Sequence, residues 1–237
     1  DITLELGGKS PLVVFPDADL EQAVQTTITA IFFNTGECCC AGSRLFVHED
    51  IKDEFLDELA AAADDLTVDD PLLESTDLGP KVTAEQVERT MGYIEEAEAA
   101  GAAFVTGGSQ PDDEALEDGC FVAPTLIDDI DHDSTAVQEE IFGPVQEIFT
   151  WSDYDEMIAL ANDVDYGLAA GIITEDLTKA HRCARDIEAG NIWVNTYNDF
   201  PAGQPFGGYK QSGIGRETAQ VAVDHYTQTK TVNISLD

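Results

Sequence analysis

Two short segments early in the chain each contain one side chain suited to covalent chemistry. The first holds Glu5, followed closely by two consecutive glycines, and the second holds Cys39, the middle one of three consecutive cysteines. A cysteine thiolate is a nucleophile, and a carboxylate can take a proton as a general base. Glycines allow a backbone to approach a ligand closely. We therefore expect Glu5 and Cys39 to act together as base and nucleophile.

The three consecutive cysteines differ in their expected orientation. In a turn or an extended segment the middle of three residues faces opposite to its neighbours, so Cys39 should face away from Cys38 and Cys40, which would pack as small apolar residues. A turn through Ala41 and Gly42 can aim backbone N–H groups at a sulfur or at an oxyanion. All three cysteines could instead be buried packing residues. A zinc site is disfavoured, because adjacent cysteines lack the usual spacing of metal ligands.

Glu5 lies in a short run, residues 2–6, that ends at the glycine pair. A glutamate at the end of a strand, just before a glycine turn, can project into a cleft and act as a base. The alternative is an ordinary solvated glutamate, and this chain contains 48 acidic residues. The residue type alone does not decide between the two.

The elements that must position these residues alternate between strands and helices. Short β-rich apolar runs predict strands, and apolar residues at helical spacing predict amphipathic helices. The predicted strands are 12–15, 45–47, 102–106, 121–127, 168–174 and 192–195, and the predicted helices lie within 19–36, 51–66, 83–100, 153–162 and 177–187. Such alternation predicts an α/β fold with a mostly parallel sheet flanked by helices. The alternating tail at 229–236 predicts an additional edge strand.

Five segments, in order along the chain, resemble the signature motifs of the aldehyde dehydrogenase superfamily. They are residues 4–11, 36–44, 139–145, 191–195 and 205–217. The resemblance covers essentially the whole chain. It implies an aldehyde dehydrogenase-like catalytic domain that oxidises a small aldehyde to a carboxylate through a thioester on Cys39, which Glu5 then helps to hydrolyse. It also implies NAD or NADP as the cofactor and no metal ion.

The resemblance assigns roles to further side chains as well. These are Glu140, Phe142, Gln86 and Arg89 for cofactor binding, Phe200 for the substrate tunnel, and Glu217 for proton release. Other readings of three of them remain open. Gln86 stands at capping-box spacing from Thr83, Phe142 could pack in the core, and Phe200 could be a loop aromatic that shields the core.

The family comparison also divides the chain into parts. Members of the family carry a dinucleotide-binding half before the glutamate motif, and this sequence contains no Gly-x-Gly-x-x-Gly loop. We therefore expect residues 1–7 to be the end of a missing cofactor-binding domain, 8–226 the catalytic domain and 227–237 an oligomerisation strand of a homo-oligomer. Two alternatives are a cofactor-independent cysteine esterase and an inactive assembly module separated from the N-terminal half.

The charge of the chain is strongly acidic. Eleven basic residues stand against 48 acidic ones, which gives a formal net charge of −37. Such a surface repels nucleic acid and anionic membranes, so neither is expected as a partner. The acids are spread along the sequence, whereas an acidic face for one cationic partner would concentrate them. This distribution favours a surface adapted to high salt, as in a halophile, where screening removes the repulsion.

Length and composition favour a folded protein without a membrane segment. The 237 residues, 43% of them hydrophobic, are enough to bury a full core. No apolar run is long enough to span a bilayer, and no signal peptide opens the chain. The five cysteines are odd in number and three are adjacent, which is not typical of a disulfide framework. We therefore expect a cytoplasmic protein.

Overall fold

One seven-stranded sheet forms the centre of the fold in the computed structural model, which describes residues 2–237. The strands of the chain are β1 Leu4–Glu5, β2 Pro11–Val14, β3 Arg44–His48, β4 Ala103–Thr106, β5 Thr125–Asp128, β6 Val145–Trp151, β7 Tyr166–Gly167, β8 Ala169–Ile173, β9 Asn191–Val194, β10 Tyr209–Lys210 and β11 Gly213–Ile214. The central order is β4-β5-β6-β3-β2-β8-β9, and only β4 runs antiparallel to its neighbour. The predicted α/β fold with a mostly parallel sheet is confirmed.

Helices cover both faces of this sheet. They are α1 Leu20–Phe32, α2 Lys52–Asp64, α3 Ala84–Ala99, α4 Thr135–Gln138, α5 Tyr154–Asn162, α6 Leu177–Asp186 and α7 Ala219–His225. Strand β2 shows how the two faces are used. Its Leu12 and Val14 belong to the hydrophobic cluster that includes α1 and α2, whereas Val13 belongs to the cluster that includes α3 and α6. Because successive side chains alternate between faces, a strand buried on both sides is apolar throughout.

Helix α1 begins where the sequence predicts but ends earlier. The Asp19 carboxylate caps it by accepting a hydrogen bond of 2.9 Å from the Gln22 N–H. The predicted stop at Gly36 is wrong, because α1 ends at Phe32 and a 3-10 turn follows. Asn34 and Thr35 have φ of 52° and 59°, and residues in this left-handed region do not continue the α-helical hydrogen bonds. The chain therefore changes direction just before the cysteines.

Strand β6 is absent from the sequence-based prediction, although it lies near the centre of the sheet. Its Gln146 and Glu147 are polar and fully buried, and they interrupt the apolar run by which buried strands are recognised. Both find partners inside the protein. The Gln146 side-chain amide donates to the Gly42 carbonyl at 2.6 Å, and Glu147 accepts from Lys9 at 3.1 Å. Polar contacts with distant parts of the chain thus stabilise a buried strand that lacks a continuous apolar run.

The C-terminal tail forms no strand within the single chain. Residues 229–236 have no regular structure, and their apolar side chains Val232, Ile234 and Leu236 are exposed. The role of 227–237 in oligomerisation stays a prediction, as does the division at residues 7 and 226; position 1 lies outside the described residues. Within residues 2–237, no helix combines the length and the apolar character needed to cross a membrane.

Candidate active site

Three loops meet at one edge of the central sheet. The glycine turn (residues 6–10) leads into β2, the cysteine loop (residues 36–43) leads into β3, and the Glu140 loop (residues 139–144) leads into β6. These strands are parallel neighbours in the order β6-β3-β2, so their amino ends and the loops before them lie together. A narrow cleft between the loops is lined by residues of all three, among them Gly8, Cys38 and Glu140.

The outer two of the three consecutive cysteines, Cys38 and Cys40, lie with their thiols in contact. Cys38 Sγ is 3.4 Å from Cys40 Sγ, and Cys40 is buried while Cys38 and Cys39 are half-buried. The segment is a turn, closed by a 3.0 Å hydrogen bond from the Ala41 N–H to the Cys38 carbonyl, rather than an extended strand. The turn therefore brings the Cys38 and Cys40 thiols into contact.

This clustering makes the acidity of the thiols a shared property. A hydrogen bond with Cys39, and a second with Cys40, lowers the pKa of Cys38. The same contacts with Cys38 raise the pKa of Cys39 and of Cys40, and burial raises both further. The proton and the charge therefore belong to the group of three. The group loses its first proton more easily than an isolated thiol, and the remaining two less easily.

Backbone contacts fix the cysteine loop against the glycine turn. A Cβ atom on Gly8 would lie 2.3 Å from the Cys39 carbonyl oxygen, so this position accepts only glycine. The Tyr197 hydroxyl donates to the Cys40 carbonyl at 2.7 Å, and the Gly42 N–H donates to the Ala30 carbonyl at 2.9 Å. Within residues 2–237 the Cys39 N–H donates to no acceptor. It is therefore available to a ligand oxygen.

Glu5 lies on the short strand β1, apart from the thiols. It is exposed, it pairs with Gly213 across the β1–β11 ladder, and its Oε1 would be 2.9 Å from a Cβ placed on Gly207. Partial burial raises the pKa of Glu5, the Glu217 carboxylate raises it further, and Arg216 opposes them. Within residues 2–237, no hydrogen bond joins Glu5 to the cysteine loop.

Glu217 faces the same region as Glu5. It forms a backbone bridge with Phe206, and its carboxylate accepts a hydrogen bond from the Thr3 hydroxyl. The structure therefore brings Glu217 close to Glu5. The last motif, residues 205–217, contacts the first, residues 4–11.

The Glu140 loop presents a carboxylate and an aromatic ring to the glycine turn. Glu140 Oε1 accepts a 3.1 Å hydrogen bond from the Gly8 N–H, and its Oε2 would lie 2.5 Å from a Cβ placed on Gly7. Burial raises the pKa of Glu140. Arg89 holds the loop by donating to the Glu140 carbonyl at 3.1 Å. Phe142 has a φ of 58° and is 36% exposed, so it is not a core residue.

Gln86 makes one of the two hydrogen bonds of a capping box, the one that its backbone N–H donates to Thr83. Its backbone N–H donates to the Thr83 hydroxyl at 3.3 Å, at the start of α3. The Gln86 side chain does not complete a reciprocal capping box. Its Oε1 is buried and has no hydrogen-bond partner among the described residues.

Phe200 lies on a loop beside the cysteine loop rather than within the cleft. Its ring packs edge-on against Trp193 at 5.3 Å and against Phe206 at 5.4 Å, yet the side chain is 53% exposed. The same loop contacts the thiols, because Asn198 Oδ1 lies 3.4 Å from Cys40 Sγ. The position fits a wall of an approach to the cysteines.

A buried lysine that sequence reasoning missed connects two of the loops. Lys81 is 2% exposed, and its Nζ donates to the Phe142 carbonyl at 2.6 Å. The same Nζ lies 3.0 Å from Glu37 Oε1, in the cysteine loop. Lysine is scarce in this chain, so the occurrence of Lys81 just before helix α3 is the one sequence feature that could have drawn attention to it.

A second buried network joins the beginnings of the three strands. The Lys9 ammonium donates to Glu147 at 3.1 Å and to the Ala136 carbonyl at 2.6 Å, and the Arg44 guanidinium donates to the Lys9 carbonyl at 2.8 Å. Burial raises the pKa of Glu147 to about 7, and Lys9 opposes this shift. Lys9, Arg44 and Glu147 precede or belong to β2, β3 and β6, so the network fixes the edge on which the loops sit.

Fold and site together define an α/β domain with a cysteine loop at the amino edge of its parallel strands, a glycine turn beside it and a loop that carries the Glu140 carboxylate. A model of the aldehyde dehydrogenase family matches residues 1–232 of the chain. The chain therefore belongs to the aldehyde dehydrogenase family.

Individual relatives agree in sequence and in structure. The chain is 44% identical over 235 residues to the betaine aldehyde dehydrogenase of Brucella anthropi, covering 99% of this chain and 48% of that protein. It superposes with a TM-score of 0.94 on an NAD+ complex of an aldehyde dehydrogenase from Bacillus cereus, at 42% identity, covering 100% of this chain and 48% of the other.

A betaine aldehyde dehydrogenase from Staphylococcus aureus, in complex with NAD+, gives a TM-score of 0.92 at 39% identity, covering 95% of this chain and 45% of that one. The chain thus spans about half the length of the curated relatives it matches.

Proposed function

We propose that this chain is the catalytic half of a nicotinamide-dependent aldehyde dehydrogenase, in which Cys39 forms a thioester that Glu5 helps to hydrolyse. The observation that carries the proposal is the contact of the cysteine loop and the Glu140 carboxylate with opposite sides of one glycine turn. Gly8 touches the Cys39 carbonyl, and its N–H donates to Glu140. A nucleophile and a carboxylate suited to ribose hydroxyls therefore lie on one small scaffold.

The first step is addition of the Cys39 thiolate to the aldehyde carbonyl. A carbon–sulfur bond forms, the carbonyl π bond breaks, and its electron pair moves to the oxygen, which becomes an oxyanion. The Cys39 N–H is free to donate a hydrogen bond to that oxygen. The nucleophile forms within a coupled group of thiols, in which the pKa of Cys38 is lowered and the pKa of Cys39 is raised, so the charge is shared between neighbours. A bound nicotinamide would accept the hydride whose loss turns the resulting thiohemiacetal into a thioester.

Hydrolysis of the thioester is the role of Glu5. Its carboxylate takes a proton from a water molecule, the resulting hydroxide attacks the thioester carbon, and the carbon–sulfur bond breaks to release a carboxylic acid and the Cys39 thiolate. The raised pKa of Glu5 makes it a stronger base than an ordinary glutamate. Glu217, beside it, would pass the proton onwards.

Residues of this chain fit part of a dinucleotide. Glu140 would accept hydrogen bonds from the hydroxyls of the nicotinamide ribose, and Phe142 would contact the nicotinamide ring. The buried Gln86 Oε1, which lacks a partner among residues 2–237, and Arg89 would serve the adenosine side. Two relatives are NAD+ complexes, which supports NAD, although NADP remains a candidate.

The test is reduction of cofactor by aldehydes in the complete gene product that contains this chain. The protein is mixed with NAD+ or NADP+ and with a panel of aldehydes, including betaine aldehyde because relatives carry that name. The proposal predicts reduction of one cofactor that depends on aldehyde. Absence of reduction with both cofactors and every aldehyde would refute it.

Ester hydrolysis without cofactor is a second candidate function. The nucleophile and the base both lie within this chain, and neither chemical step of ester hydrolysis requires a nicotinamide. The expected result is release of nitrophenol from nitrophenyl acetate that disappears in Cys39→Ser. Equal release by the variant would exclude Cys39 as the nucleophile.

Assembly through the tail is a third proposal. Val232, Ile234 and Leu236 alternate and are 66%, 77% and 94% exposed, a pattern typical of a strand that pairs with another chain. Removal of residues 227–237 should therefore lower the mass of the assembly measured by light scattering in high salt. An unchanged mass would exclude the tail as the contact.

Salt adaptation, and with it a cytoplasm rich in salt, is a proposal that rests on the charge of −37. Screening should relieve repulsion among the acidic groups, so the melting temperature should rise by at least about 3 °C between dilute buffer and molar salt. An equal melting temperature in both would contradict it.

A further inference from the structure

Lys81 touches two of the three loops with one charged group. Its Nζ lies 2.6 Å from the Phe142 carbonyl oxygen in the Glu140 loop and 3.0 Å from Glu37 Oε1 in the cysteine loop. The side chain of Lys81 is fully buried, and that of Glu37 is 10% exposed. The backbone below is anchored too, because the Lys81 N–H donates to the Cys120 carbonyl at 2.7 Å. Lys81 is thus held both at its backbone and at the tip of its side chain.

The burial of this ion pair is costly, which makes a purely stabilising role a poor explanation. Removing an ammonium group and a carboxylate from water carries a large desolvation penalty, which a hydrated surface pair avoids. A well-packed apolar pair of similar volume often stabilises a protein equally well. Burial lowers the pKa of Lys81, and the contact with Glu37 opposes the shift. The fold nevertheless keeps Lys81 Nζ within 3.0 Å of Glu37 Oε1 at this buried position.

The two loops that Lys81 joins also touch each other directly. A Cβ atom on Gly36 would lie 2.2 Å from the Gly143 carbonyl oxygen, so the backbones meet without room for a side chain. A Cβ on Gly143 would lie 3.1 Å from Lys81 Nζ, which places the ammonium beneath this meeting point. Phe142, one residue earlier, is held at a φ of 58°, a strained conformation for a phenylalanine.

We propose that Lys81 is a positioning residue: by binding the Phe142 carbonyl and the Glu37 carboxylate together, it sets the spacing between Cys39 and the ring face that Phe142 presents to a nicotinamide. Its effect on turnover rests on the proposed function, whereas its effect on the loops does not. Lys81 acts through Phe142 and Glu37 and touches neither substrate nor cofactor.

The test replaces Lys81 by methionine, which keeps the length of the side chain and removes its charge and its donors. The matched control is Lys52→Met, since Lys52 also forms an ion pair, at 2.7 Å with Asp128, in another part of the fold. Both variants are made in the complete gene product. Amide hydrogen exchange is measured for the cysteine loop and for residues 139–145, and steady-state kinetics are measured for cofactor and for a nitrophenyl ester.

Exchange tests the positioning role whether or not the protein oxidises aldehydes. In Lys81→Met, exchange should rise about tenfold in both segments, the size expected for loss of a hydrogen bond to a charged group, and Lys52→Met should leave both unchanged. A rise in only one segment, or in neither, overturns the proposal. If Lys81→Met fails to fold, Glu37→Gln takes its place, with the same two segments expected to respond.

Kinetics test the consequence for the reaction. The KM for the cofactor should rise, or the rate of aldehyde oxidation fall, by about tenfold in Lys81→Met, while cofactor-free ester hydrolysis changes by less than about twofold. Equal losses in both reactions would indicate a general structural defect and would overturn the proposal. A wild-type protein that never reduces a cofactor would refute the proposed function instead, and exchange alone would then decide the role of Lys81.

Discussion

The cysteine loop and the strand that carries Glu5 are supported in different ways. The cysteine loop is bound on several sides by buried partners, including Lys81, Tyr197 and the Ala30 carbonyl. Glu5 lies on a two-residue strand, is exposed, and has Gly213 as its ladder partner. The geometry around the proposed nucleophile, Cys39, is thus fixed by packing, whereas the pKa of the proposed base, Glu5, depends on nearby charge. Substitutions around the two residues should fail in correspondingly different ways.

The largest effect is expected at the nucleophile itself. Cys39→Ser should lower aldehyde oxidation by about 10⁴-fold or more, because a serine hydroxyl in the same place is far less nucleophilic than a thiolate. Cys120→Ser, a half-buried cysteine outside the three loops, is the control and should retain activity. Steady-state rates of cofactor reduction measure both. Retention of a substantial rate in Cys39→Ser would exclude Cys39 as the nucleophile.

At the base, the change should slow one step and leave the other. Glu5→Gln should slow hydrolysis of the thioester by about 10²–10⁴-fold, the range found for general bases, while the first turnover proceeds. A rapid burst of reduced cofactor followed by a slow phase, seen by stopped flow, is the expected trace. Loss of the burst together with the slow phase would mean that Glu5 acts before the thioester forms.

The buried support of the loops should be worth more than a surface ion pair. Lys9→Met leaves Glu147 buried without its partner, which should cost about 3–5 kcal/mol of the free energy of unfolding. Lys179→Met breaks a partly exposed pair with Asp17 and should cost about 1 kcal/mol or less. Denaturant titrations of both variants compare them. Equal costs would show that burial of the network adds nothing.

The smallest effect concerns charge beside the base. The Glu217 carboxylate raises the pKa of Glu5, so Glu217→Gln should lower that pKa. More of Glu5 is then ionised at a given acidic pH. The rise of the hydrolysis rate with pH should therefore have its midpoint at lower pH in the variant. A shift towards higher pH would contradict the assigned coupling.

Sequence reasoning succeeds where local patterns and tertiary structure agree. Strand β2 is a continuous apolar run, and helix α3, with its Thr83 cap, has apolar residues at helical spacing; both form where expected, to within one residue at each end. Strand β6 fails the same reasoning because Gln146 and Glu147 obtain partners from distant parts of the chain. Side chains of this kind look polar in sequence and are buried in the fold.

The candidate site follows the same rule. Glu5, Cys39, Glu140 and Phe142 are marked by motifs, and the structure brings the last three together around the glycine turn. Lys81 belongs to none of the motifs, and its role exists only through contacts with Glu37 and Phe142. The contact between the Cys38 and Cys40 thiols likewise depends on the geometry of the turn at residues 38–41, and the sequence predicts a turn nearby without its geometry.

The central claim is that Cys39 carries the acyl group that Glu5 helps to remove. Its most direct test is to mix the Glu5→Gln gene product with aldehyde and cofactor, stop the reaction with acid, and locate the acyl group by peptide mass spectrometry. The account predicts about one acyl group per protein molecule, on Cys39. Reduced cofactor without an acylated Cys39, or an acyl group on Cys38 or Cys40 instead, would contradict it.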